Sequence, residues 1–346
     1  MGIRWKLLFA FATLVVVDLS AADPLAVKKF SDWSAPVLVP NVNSEFADSG
    51  PAISRDGRSL YFQSNRPGGI GMGNFDIWVS QRANVKDSWG APVNLGPAVN
   101  TDANEGVPAL SRDGHWMFFT SNRPTGLGAL DLWVSYRRNT HNDFGWGAPM
   151  NLGPKINSSF GDAGPSYFAN RERDGDEKED GDEDGDEDGD EDGGALLFFD
   201  SNRPPGGPTN TELYVSPQYS DGSFGLPAVL SELNSPCNDI RPSIRSDGLE
   251  IFFHSSRPAP GGAACAATTD LWVATRDTLS QVWNTPENLG PVINGASNDI
   301  QPYISSDGRT LYFASTRSGD QLDLFVSTRS RSKPKGDDDD DRGKKD

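Results

Sequence analysis

Apolar positions in this chain fall in short runs, each closed by polar or turn-forming residues, and strongly helical segments are scarce. Runs such as LYFQS, MFFTS, LFFDS, IFFHS and LYFAS read as strands, and they return in a fixed order. A W-x-x-P start stands at Trp33, Trp89, Trp146 and Trp283, with Phe224 in that place once. An apolar stretch follows. An asparagine then falls eight residues before a proline: Asn43 and Pro51, Asn100 and Pro108, Asn157 and Pro165, Asn234 and Pro242, Asn294 and Pro302. Next come a short strand, a turn such as SRDG or SSDG, and a second strand ending in arginine. A Gly/Pro-rich loop leads into a third strand: DIWVS, DLWVS, ELYVS, DLWVA or DLFVS.

This spelling predicts five units of four antiparallel strands. Strands this short cannot bury both faces alone, and stacking the sheets radially hides those faces. The expected fold is all-β, a five-bladed β-propeller rather than a six-bladed one. The chain opens on a W-x-x-P strand and ends without one. Residues 33–39 are therefore expected to pair in the last blade and close the ring over 33–329.

Composition agrees with many short strands and turns, with 37 Gly, 25 Pro and 10% aromatics in 346 residues. Residues 1–22 carry Arg4 and Lys6, an apolar run from Leu7 to Val17, and small residues at Ser20 and Ala22. That is a secretory signal pattern, too short for a membrane span. Export to a periplasm or beyond is expected, with no membrane span after cleavage and a monomeric state. The net charge of −18 is mostly local, because residues 172–193 hold fifteen acids against Arg173 and Lys178. This insertion, in the third unit, is expected to be disordered, since like charges repel and nothing apolar can be buried. The charged tail, 330–346, is expected to be likewise. No basic patch exists to neutralise phosphates, which excludes a nucleic-acid partner.

The repeat resembles the TolB-type propeller repeat, a distant relative of the WD repeat. The likeness rests on the P-x-[LI]-S-x-D-G turn, the following [LM]-[YF]-F-x-S-[NT]-R strand and the D-[LI]-W-V strand, and it covers nearly all of 33–329. The family usually has proline before Asp-Gly, where this chain has Arg55, Arg112, Ser246 and Ser306. TolB itself is six-bladed with an added domain, so its envelope role does not transfer residue by residue.

Three ionic positions recur. An acid stands three residues before the inner-strand proline: Asp48, Glu105, Asp162, Asp239, Asp299. An arginine closes the second strand: Arg66, Arg123, Arg203, Arg257, Arg317. An acid opens the third: Asp76, Asp131, Glu212, Asp270, Asp323. Antiparallel geometry brings all three to one face, here called upper, where one guanidinium could bridge two carboxylates. Recurrence makes this a structural network, because catalytic residues need appear only once. The competing reading is a Ca²⁺ site at the channel mouth, built from the excess of acids. In the insertion, Asp180, Asp182, Asp184 and Glu191 fit the spacing of a calcium loop, a cheap match in a run of Asp and Gly. No other cofactor is implied.

Cys237 and Cys265, the only cysteines, fall in two loops of one face in the fourth unit, where an exported protein permits a disulfide. The recurring tryptophans fit interblade packing better than sugar stacking. The loops between second and third strands vary in length, as recognition loops do. The leading expectation is an exported scaffold, without catalysis, that binds a protein or envelope partner through these upper loops. The alternative is a glycoside hydrolase or other hydrolase with its site at the channel mouth. No G-x-S-x-G elbow is present, and His115, His141 and His254 do not recur.

Overall fold

The computed structural model of the chain describes residues 30–169, 194–207, 210–258 and 264–332. The segment 1–22 expected to be a signal, the insertion 172–193 with Asp180, Asp182, Asp184 and Glu191, and all but the start of the tail lie outside the described residues. Residues 32–330 form one compact unit. In a second unit Phe30 pairs with Arg331.

Among the described residues, twenty strands build five four-stranded antiparallel sheets. Blade I is β2 (Asp48–Ile53), β3 (Ser59–Ser64), β4 (Asp76–Gln81) and β5 (Val93–Asn94). Blade II is β6 (Glu105–Leu110), β7 (Trp116–Ser121), β8 (Asp131–Tyr136) and β9 (Met150–Asn151). Blade III is β10 (Asp162–Phe168), β11 (Ala195–Ser201), β12 (Glu212–Gln218) and β13 (Ala228–Val229). Blade IV is β14 (Asp239–Ile244), β15 (Glu250–Ser255), β16 (Asp270–Thr275) and β17 (Glu287–Asn288). Blade V is β18 (Asp299–Ile304), β19 (Thr310–Ser315), β20 (Asp323–Thr328) and, from the other end of the chain, β1 (Val37–Leu38). Val37 faces Val326 and Leu38 faces Phe325, so the ring is closed by pairing the two ends of the propeller.

The core lies between blades. Five clusters of buried side chains each join two neighbours: I–II, II–III, III–IV, IV–V and V–I. A blade is thus apolar on both faces and cannot stand alone.

The outermost strands are two residues long, and asparagine extends them. The Asn100 side chain accepts the N–H and donates to the C=O of Ile77, as a further strand residue would. Asn43 does this for Leu324, Asn157 for Leu132, Asn234 for Leu213 and Asn294 for Leu271. The asparagine that marks each repeat is therefore a side-chain stand-in for missing sheet. Short outer edges also leave little backbone open to unwanted pairing.

Candidate functional site

In each blade the arginine ending the second strand is held on every side. Arg66 pairs with Asp48 at 2.5 Å, its Nε donates to Ser64 Oγ, and Nη2 donates to the carbonyl of Val42. The guanidinium stacks over Phe62 and Trp78 at 5.1 and 5.4 Å. Arg123 pairs with Glu105, Arg203 with Asp162, Arg257 with Asp239 and Arg317 with Asp299. Each of these also lies over two aromatic rings, one from its own strand and one from the third. Asp48, Glu105, Asp162 and Asp239 further accept an N–H and a hydroxyl from the residue four before them, and Asp299 accepts the Gly295 N–H.

The expected bridge from each arginine to a second acid is not what forms. The third-strand acids turn to the loop and the outer strand. Asp76 accepts from the Ile70 N–H and Asn94; Asp131 accepts from the Leu127 and Gly128 N–H groups and Asn151. Asp270 takes Asn288, and Asp323 takes the Ser318 hydroxyl. Glu212 Oε2 is buried with no hydrogen-bond partner among the described residues. The reason is competition: turn N–H groups and outer-strand side chains in need of an acceptor lie within reach of these acids. Burial pushes the Asp76 carboxyl up, partly offset by the Ile70 and Asn94 bonds.

The lower face holds a second arginine repeat that the sequence reading passed over. Arg82, Arg137, Arg276 and Arg329 follow the third strands. Each donates Nε to a turn glycine carbonyl, at Gly57, Gly114, Gly248 and Gly308. Each also covers the tryptophan of a W-x-x-P start: Trp89, Trp146, Trp283 and, across the closure, Trp33, at 4.1–4.5 Å. Blade III breaks the rule, with Gln218 and Phe224 in those places; Gln218 instead accepts from the Tyr167 hydroxyl. The tryptophans thus face interblade packing and a cation.

Between blades I and II the lower face opens a groove of about 600 Å³. In it Asp143, an unrepeated acid, accepts from Ser59, Tyr61, Gln81 and Arg137 at 2.5–2.7 Å. Burial pushes its carboxyl up, but these four donors outweigh burial and hold it below the usual range.

At the axis each innermost strand carries a bulge two residues after its acid. The bulged residues are Gly50, Val107, Gly164, Arg241 and Gln301, all with φ between 49° and 62°. Four of their N–H groups point to the preceding blade. Gln63 Oε1 accepts from Val107, Thr120 Oγ1 from Gly164, Asp200 Oδ1 from Arg241 and His254 Nδ1 from Gln301. Ala314 stands in the fifth such place and carries no acceptor. These are the x positions of the F-x-S strands, so unrepeated polar residues gather here from a repeated frame. Burial raises the Asp200 carboxyl, while nearby Arg241 opposes the shift. Burial and then Arg241 push the His254 imidazole down to about 3. Arg241 and Gln301 line an axial cavity of about 100 Å³ that reaches the lower turns.

Cys237 and Cys265 are joined in a disulfide, with Cα atoms 5.6 Å apart. Among the described residues no group of three or more His, Cys, Asp or Glu is placed to hold a metal ion. No helix among them is long and apolar enough to cross a membrane.

No family model and no curated relative matches the chain at the level of sequence. Solved structures do match in fold. An α-L-arabinofuranosidase from Lactobacillus brevis superposes with a TM-score of 0.54 at 10% identity, over 84% of this chain and 92% of that one. An α-L-arabinofuranosidase from Podospora anserina, solved with cellotriose, gives 0.51 at 10% identity, over 88% and 98%. A TolB-type protein from Agrobacterium tumefaciens gives 0.42 at 15% identity, over 83% and 78%, too low to carry an argument. At these identities the likeness establishes the five-bladed propeller and nothing finer.

Proposed function

We propose that the protein is exported and acts as a binding propeller, presenting its upper loops to a protein or envelope partner. The observation that carries this is apolar side chains held in solvent above a rigid rim. Met72 is fully exposed in the blade I loop, Ile70 and Leu127 are exposed beside the same rim, and Phe46 precedes β2 on that face. Exposed apolar groups clustered over an ordered frame are typical of interaction sites. The disulfide fits an oxidising compartment, and the TolB-type spelling of the repeat fits an envelope setting. Substituting Ile70→Asp with Met72→Asp should abolish cross-linking to the partner in an envelope extract and leave the melting temperature unchanged. Equal cross-linking by the double variant removes this reading.

The fold comparisons favour a second reading, glycoside hydrolysis, more than they favour the first. The carboxylates weigh against it. Hydrolysis needs two of them about 5–9.5 Å apart across a sugar. The repeated inner-strand acids are locked to arginines, and the unrepeated Asp143 and Asp200 lie against Arg137 and Arg241. A panel of aryl glycosides that includes an α-L-arabinofuranoside decides between them. Turnover lost in Asp200→Asn establishes the hydrolase and displaces the binding reading.

A further inference from the structure

The five bulged residues around the axis share one backbone conformation but not one chemistry. Positive φ suits glycine, which carries no Cβ, and blades I and III use it at Gly50 and Gly164. Blades IV and V place Arg241 and Gln301 there, at φ 59° and 53°. Such conformations are costly for long side chains and persist where something else requires them. The bulge itself does not require them, since the N–H of each is accepted by Asp200 and His254 whatever side chain follows.

The side chains are also left short of partners. Gln301 is 8% exposed, and its Oε1 is buried with no hydrogen-bond partner among the described residues. Arg241 Nη1 is likewise buried and unpartnered, and its Nε lies 3.9 Å from Asp200 Oδ1, beyond hydrogen-bond distance. Both residues line the axial cavity of about 100 Å³, whose wall runs down to Arg55 and Arg112. His254, beside Arg241, is neutral above about pH 3. Among the described residues Asp200 is the one acid bonded into this cluster, and its oxygen is already turned to the Arg241 N–H.

We infer that this cavity binds a small hydroxy-carboxylate, its carboxylate on Arg241 and its hydroxyl donating to Gln301. A guanidinium with a buried free N–H recognises a carboxylate oxygen, and a buried amide oxygen demands a donor. The cavity volume fits a molecule of two or three carbons and excludes an oligosaccharide. This site is separate from the upper loops and does not depend on the partner proposed for them.

Glycolate and acetate are the probes, titrated calorimetrically into the full chain. Glycolate should bind, and acetate about tenfold more weakly, since only glycolate offers Gln301 a donor. Arg241→Gly keeps the backbone in a conformation glycine already adopts at positions 50 and 164, and it should abolish binding of both. Gln301→Gly should remove the preference for glycolate and leave acetate binding intact. It is the second line should Arg241→Gly fail to fold. A crystal grown in glycolate should show it between Arg241 and Gln301. Water alone in that density overturns the inference, as does glycolate binding of equal strength in Arg241→Gly and the parent.

Discussion

An arginine held by a carboxylate, a hydroxyl, a carbonyl and two rings is fixed through Nε and Nη2, and five such residues form the upper rim. Removing one strands a fully buried acid. Arg203→Ala leaves Asp162 without its counter-charge and should cost about 3–5 kcal/mol, read from a urea midpoint. A variant that unfolds with the parent removes the rim from the list of stabilising elements. His254 gives a signed dependence on pH. Its folded pKa of about 3 lies below the ordinary 6.5, so the unfolded chain binds the extra proton. Stability is therefore full above about pH 6.5 and falls as pH drops towards 3, by up to about 1.4 kcal/mol per unit. His254→Gln retains an acceptor, as Gln63 does in blade I, and should flatten that part of the melting-temperature profile. At this scale the sequence was half legible. The paired acids and arginines could be read from spacing, because the antiparallel chain brings them to one rim. The fate of Asp76, Asp131, Asp270 and Asp323 could not, because it depends on where loop N–H groups fall in space. The lower arginines could have been found: Arg82, Arg137, Arg276 and Arg329 recur as plainly as the upper ones, but follow strands rather than close them.

For the strand, the deciding feature is the bulge. A β-branched residue at φ 49° is strained, and Val107 is the one such residue among the five. Val107→Gly should raise stability by about 1 kcal/mol, the relief exceeding the added freedom of the unfolded chain. A lower denaturation midpoint shows that Val107 packing outweighs the strain. The bulge was not legible in the sequence. Gly50 and Gly164 suggest it, but Val107, Arg241 and Gln301 hide it, and only register across β3, β7, β11, β15 and β19 exposes the extra residue. The outer strands shrank for a related reason. The W-x-x-P stretch reads as a full strand, yet pairing stops after two residues and the asparagine clasp continues it.

Across the whole molecule, the count of blades and the closure by β1 were both legible, since each follows from the order of repeats rather than from any single contact. What distinguishes this propeller is where regularity lapses: blade III without its lower arginine and tryptophan, and a fourfold set of bulge clasps in a fivefold wheel. The vacancy falls at Ala314 on β19, in the same blade that β1 completes from the other end of the chain. A circle fastened unevenly springs apart at one place. Deuterium should enter the amides of residues 325 and 326 before their counterparts in the other blades, which makes that joint the natural point from which the wheel unrolls.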